Sequence, residues 1–143
     1  MNTARIPNWF WVISGILLLW HMVGLGSFIY HTFMMSEEAI EALPEKERIL
    51  YGQYPMWSHL IFAIATITAF LGNILLFDQK KMAISLFVIS FIAIIIQMGH
   101  HLFMTSAVEV YGKTTYMMPI LVIVVAGFCI WLSNHAKNQE WID

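Results

Sequence analysis

The sequence predicts an all-α membrane protein, a four-transmembrane-helix antiparallel bundle with a short amphipathic helical segment in its first loop. Four stretches, residues 6–36, 49–77, 82–108 and 114–136, contain no Asp, Glu, Lys or Arg and are mostly apolar. They measure 31, 29, 27 and 23 residues, whereas a helix crosses a ~30 Å hydrocarbon core with ~20 apolar residues. Charged residues make up only 11% of the chain and hydrophobic residues 59%, against roughly 25% charged in an ordinary soluble domain. That composition excludes a water-soluble fold standing alone. Once four spans are placed, only short connections remain, so residues 1–143 read as a single domain.

The first span is expected at about residues 7–34. Pro7 suits a helix start, and Trp9 and Trp11 suit the interfacial aromatic belt. Arg5, the apolar run 9–20 and Gly24-Leu25-Gly26 imitate a signal peptide. The apolar run continues through Tyr30 to Phe33, however, too long for a signal core, which favours a retained helix. Ser36 is a natural N-cap with acidic residues behind it, and Pro44 can start a second short helix. Pro55 and Trp57 open the second span, about 55–77. The very tight turn Asp78-Gln79-Lys80-Lys81 makes the second and third spans antiparallel neighbours. The third span is expected at about 82–104, a polar turn at 105–115, the fourth span at about 116–133, and a polar tail after it.

Four crossings place both termini on one side. That side carries Arg5, Lys80, Lys81 and Lys137, and the other carries Lys46, Arg48 and Lys113. Positive charge is retained on the cytoplasmic side, so both termini are assigned to the cytoplasm. The net charge of −2 offers no basic surface for nucleic acid. The single cysteine, Cys129, allows neither a disulfide nor a cysteine metal motif. No nucleophile–base constellation argues for an enzyme.

Residues seven apart on a helix lie within ~20° of one another. His59, Thr66 and Asn73 form such a row on the second span, with Ala63 and Ala69 beside it. Ser90, Gln97 and Met104 form one on the third, flanked by His100 and His101. Ser14 and His21 form one on the first, followed by Gly24. Polar seams of this kind either hold a bundle together or line a path for a solute or proton. Topology gathers His31, His59, His100 and His101 into one outer layer, together with most of the methionines. Imidazole and thioether are ligands for copper or haem iron, so these four histidines are the metal candidates. No compact His-x-x-x-His spacing supports a site, and no cofactor is the simpler expectation.

Several segments taken together carry a resemblance: Trp9-Phe10-Trp11, Leu19-Trp20-His21-Met22-Val23-Gly24, and Glu41-Ala42-Leu43-Pro44-Glu45-Lys46-Glu47-Arg48. Pro55-Met56-Trp57, Gln97-Met98-Gly99-His100, Ala107-Val108-Glu109-Val110-Tyr111-Gly112 and Met118-Pro119-Ile120-Leu121-Val122 complete the set. In order and spacing the chain resembles a family of small bacterial four-span inner-membrane proteins, often labelled "sugar transporter" by automated naming. The resemblance implies a bacterial inner-membrane location. In that family the position of His21 is commonly Asn, and His59 and His101 are not family features. His100, by contrast, falls in a Gln-Met-x-His motif. The resemblance thus implies a polar-network role for Gln97 and His100, with Glu109 near the outer mouth.

Three functions are therefore expected in competition. The first is an oligomeric carrier or channel for a small solute or proton, using Gln97, His100, His59, His21, Thr66, Asn73 and Glu109. The second is a non-enzymatic accessory or structural subunit of a larger membrane complex. The third is a haem- or copper-binding redox protein. All three share the lipid bilayer as a partner.

Overall fold

The computed structural model describes residues 5–143, and among these the chain is helical with no strand. Four helices are long and apolar enough to cross a membrane: Asn8–Met34, Met56–Phe77, Met82–Met104 and Lys113–Asn138. The protein is a small integral membrane protein built as a four-helix bundle. Lipid cannot hydrogen-bond a peptide group, so the spans satisfy their backbones internally. Their exposed faces carry the large apolar residues, Val12, Ile16 and Leu19 on the first span and Ile92, Ile95 and Ile96 on the third.

The first span consists of α1 (Asn8–Ile29) followed by a π-helical turn, Tyr30–Met34. Two short helices then lie in the first loop, α2 (Glu37–Glu41) and α3 (Glu45–Tyr51). Ser36 caps α2 by accepting the Ala39 amide at 3.2 Å, and Pro44 sits immediately before α3. The second span is α4 (Met56–Phe77). The third is α5 (Met82–Gly99), which again ends in a π-helical turn, His100–Met104.

The segment read as a plain polar turn contains α6 (Ala107–Tyr111) and a 3-10 turn, Lys113–Tyr116. Ala107 is buried, and the Ala107 amide donates to Thr105 Oγ1, which starts the helix. Gly112 stops it at φ +78°, a conformation that glycine adopts without the usual Cβ clash. The last helix, α7 (Met117–Asn138), runs five residues past the expected end of its span. Ala136 is buried there, and His135 stacks on Trp131 with ring centroids 5.2 Å apart. Packing, not hydropathy, carries the helix through these polar residues.

α1 packs on α4, α4 on α5, and α5 on α7. At the end bearing both termini the bundle is closed by one core cluster. Phe10 and Leu17 of α1 meet Leu76 of α4, Phe87 of α5, and Cys129 and Leu132 of α7. The final residues cover this core, since Trp141 and Ile142 are buried and Trp141 meets Phe10 at 5.4 Å. The Lys81 and Asp143 backbones pair as well, with the Lys81 amide donating to the Asp143 carbonyl at 2.8 Å. At the opposite end, which carries α2, α3 and α6, the second core cluster draws on α4, α5 and α7 alone. Here α1 touches the bundle through α4, where Phe28 meets Phe62 edge-on at 5.5 Å. The bundle is closed at its terminal end and parted between α1 and α7 toward its loop end.

Candidate functional site

The polar seams divide into three levels. Nearest the terminal end they join helices. The Asn73 Nδ2 donates to the Ser14 carbonyl at 3.1 Å, tying α4 to α1. Nearer mid-span, the Ser90 hydroxyl donates to the Ala65 carbonyl at 2.7 Å, tying α5 to α4. Asn73, Ser14 and Ser90 are all buried. Bonds of this sort contribute about 0.6 kcal/mol each in membrane bundles.

At the second level, which reaches down to Ala65 and Ala69, the parting of α1 from α7 leaves a cavity of about 220 Å³. All four long helices contribute to it: His21, Gly24 and Ser27 from α1, Thr66 and Ala69 from α4, Gln97 from α5, Met118 and Val122 from α7. Small side chains make the space. A Cβ on Gly24 would meet its nearest neighbour, Thr66 Cγ2, only at 4.0 Å. The wall is mostly apolar and holds no Asp, Glu, Lys or Arg.

Its polar groups are few and specific. The Ser58 hydroxyl donates to Gln97 Oε1 at 3.1 Å, which leaves the Gln97 amide nitrogen as the group available to a solute. The Thr66 hydroxyl donates back to the Phe62 carbonyl at 2.9 Å and retains acceptor capacity. His21 is 7% exposed, and its Nε2 lies 3.9 Å from Cys129 Sγ. Its buried Nδ1 and the buried Asn73 Oδ1 have no other partner among the described residues, and the Asn73 side chain faces the imidazole.

The third level lies at the loop end and gathers His31, His59, His100 and His101. His31 sits on the first π-helical turn, His100 and His101 on the second, and His59 in the first turns of α4. The two π-helical turns share a pattern, Tyr30-His31-Thr32-Phe33-Met34 and His100-His101-Leu102-Phe103-Met104, each followed by a serine two residues on and a short helix. The second position of each turn does the same thing. His31 Nδ1 pairs with the Tyr51 hydroxyl at 2.9 Å, and His101 Nδ1 pairs with the Tyr54 hydroxyl at 2.5 Å. Tyr51 and Tyr54, three residues apart, thereby bridge the ends of α1 and α5. Gln53 reinforces the bridge by accepting from the Ser106 amide at 2.7 Å. Burial pushes the phenols of Tyr51 and Tyr54 above the usual tyrosine range.

His100 is buried against Trp57, with ring centroids 4.9 Å apart, and does not line the cavity. Glu109 is exposed on α6, and His59 is half-buried. Among the described residues no group of three or more His, Cys, Asp or Glu could hold a metal ion. The structure brings His21, Thr66 and Gln97 to one cavity, sets Asn73 against His21, and leaves His59, His100 and Glu109 outside the lining. The sequence reading missed Ser27 and Trp20 at the cavity, Ser58 as the partner of Gln97, and Tyr51, Tyr54 and Gln53 at the loop end. Repetition of His-x-Phe-Met was the available signal for the second group. Compared with protein-family models, curated proteins and solved structures, the chain matches none.

Proposed function

We propose that this small multi-pass protein is a carrier that holds one small uncharged solute inside the membrane, with His21, Thr66 and Gln97 as its polar contacts. The observation that supports this reading is the cavity among all four helices, which places three residues of the polar seams around one space. An ionised solute is disfavoured, because no opposite charge lines the wall and an unpaired ion in a low-dielectric site is costly. An open channel is disfavoured as well. Phe10, Leu17, Leu76, Phe87 and Leu132 fill the terminal half, so the solute would move with a conformational change. A monosaccharide fits poorly despite the label that the family resemblance brings. Its several hydroxyls would outnumber the polar groups of the wall, and each one left unpaired costs about 1–3 kcal/mol.

The bacterial inner membrane, with both termini in the cytoplasm, is the setting we propose, and it would put the cavity in the outer half of the bilayer. Gly24→Leu tests the reading, because it fills the cavity from a position with room for a side chain. In protein-containing vesicles loaded with small uncharged solutes, Gly24→Leu should abolish saturable binding and uptake while the protein stays folded. Uptake that survives Gly24→Leu unchanged and disappears in His100→Ala would move the solute site to the loop end.

A further inference from the structure

The two π-helical turns belong to a longer repetition. The turn Tyr30–Met34 and the helix α2, Glu37–Glu41, recur 70 positions later as His100–Met104 and α6, Ala107–Tyr111. The helix α4, Met56–Phe77, recurs 61 positions later as α7, Met117–Asn138. The difference lies in the loops, residues 42–55 against 112–116, and only the first of them holds α3. Ala65, Leu71 and Asn73 come back as Ala126, Leu132 and Asn134. α4 and α7 also end alike. The Lys80 amide donates to the Leu75 carbonyl at 2.8 Å, and the Trp141 amide to the Ala136 carbonyl at 2.9 Å. Each bond closes a Schellman turn around a residue of positive φ, Gln79 at +59° and Glu140 at +58°. No other non-glycine residue among those described has a positive φ. The bundle thus contains one two-span unit twice, with α1 and α5 crossing in the same sense. In transporters built from repeats, solutes bind where the repeats meet.

The two units meet in two equivalent contacts, α4 with α5 and α7 with α1. The first is tight, since Ser90 donates to the Ala65 carbonyl at 2.7 Å and Ser58 to Gln97 Oε1 at 3.1 Å. By the same displacements the second contact sets Trp20 against Ala126 and Ser27 against Pro119. Leu17 and Phe87, equivalent in this alignment, both lie in the terminal core. An indole where the other unit has a serine holds the helices apart. Trp20 and Ala126 share the wall of a small void of about 30 Å³ beside the main cavity, which places the indole at this contact. Gly24 is the counterpart of Ile94. Ile94 packs with Ala65 and Ala126 at the bundle centre, whereas Gly24 leaves its half of the centre empty. Trp20, Gly24 and Ile94 all stand on the cavity wall. On the reading that this cavity is the solute site, we propose that Trp20 and Gly24 create it. The α1–α7 contact is a copy of the α4–α5 contact that Trp20 props open and Gly24 hollows out.

The test uses the full chain in nanodiscs with Cys129→Ala, Ser27→Cys and Pro119→Cys, where disulfide formation under copper–phenanthroline oxidation reports closure of α1 on α7. Trp20→Ser should raise the cross-linking rate several-fold, and Trp20→Phe should raise it less. Trp20→Ser combined with Gly24→Ile writes the residues of the second unit into the first. That double variant should cross-link fastest and melt above the parent, so a merely misfolded Trp20→Ser protein cannot pass for closure or hide it. A rate unchanged or lowered in both Trp20→Ser proteins would overturn the proposal, because removing the indole would then only enlarge the cavity. The solute reading is scored separately, by vesicle uptake of glycerol, urea and acetamide. Saturable uptake lost in Gly24→Leu, with cross-linking indifferent to residue 20, would overturn the proposal and spare the solute cavity. Cross-linking in the expected order, with uptake indifferent to Gly24→Leu, would keep the opened contact and remove the solute from it.

Discussion

Imidazole is versatile, and this protein puts different histidines to different uses. His31 and His101 pair with tyrosine hydroxyls through Nδ1, His100 packs its ring on Trp57, and His21 sits beside a cavity with its buried Nδ1 facing Asn73. The Tyr54–His101 pair makes a pH-dependent prediction. Burial holds the Tyr54 phenol above its ordinary value, so in alkali the unfolded chain loses this proton first. The stabilisation is therefore complete below the ordinary tyrosine range and is lost as pH rises through it, levelling off above the folded-state value. Thermal melts in detergent from about pH 9 upward should show this decline near pH 10, and Tyr54→Phe should make it shallower, the buried Tyr51 phenol keeping the remainder. A decline of equal size in Tyr54→Phe would assign it to other groups. Heptad spacing alone could not separate these histidine roles. It put His59, Thr66 and Asn73 on one row of α4, but neighbours on other helices decide what each row member meets. Asn73 meets a carbonyl of α1, Thr66 meets the cavity, and His59 meets neither.

Among the elements, α4 and α5 form the closest pair, as the tight 78–81 turn requires. Gly72 is the reason they approach so closely. A Cβ there would lie 3.1 Å from Cδ1 and Cε1 of Phe87 and 3.3 Å from Cβ of Leu86. Phe87 belongs to the terminal core, so it has little room to give way. Gly72→Ala should therefore cost about 1–2 kcal/mol as overpacking. Gly15→Ala, with nothing within 4 Å of the added carbon, should change stability by no more than about 0.5 kcal/mol. Reversible unfolding of the two variants in mixed micelles measures the difference, and equal stabilities would contradict this account of the α4–α5 contact. The spans themselves were legible from charge-free length. The π-helical turns and α6 were not, because they depend on tertiary partners. Tyr51, Tyr54 and Gln53 hold the turns from another segment, and the buried Ala107 anchors α6.

At the scale of the molecule, the asymmetry between a closed terminal end and a parted loop end ties packing to the proposed function. A carrier must hold its helices together somewhere while leaving a solute space elsewhere, and the two demands fall on separate residues here. Trp141 is the clearest probe of the closed end. It is 9% exposed, meets Trp9 at 5.6 Å and Phe10 at 5.4 Å edge-on, and packs against His135 at 5.4 Å. Its removal deletes contacts from both α1 and α7, so Trp141→Ala should cost about 3 kcal/mol of stability. None of the residues that line the cavity touches this aromatic group. Distant sites without shared partners act independently to within about 0.5 kcal/mol. Solute affinity in Trp141→Ala should therefore stay within about twofold of the parent at temperatures where the variant is folded. Gly24→Leu should do the reverse, leaving the melt nearly unchanged and abolishing binding. A loss of affinity in Trp141→Ala that tracks its loss of stability would show that the two ends move as one unit. In that case the parting of α1 and α7 would be set by the terminal clamp rather than by the small residues of the cavity wall.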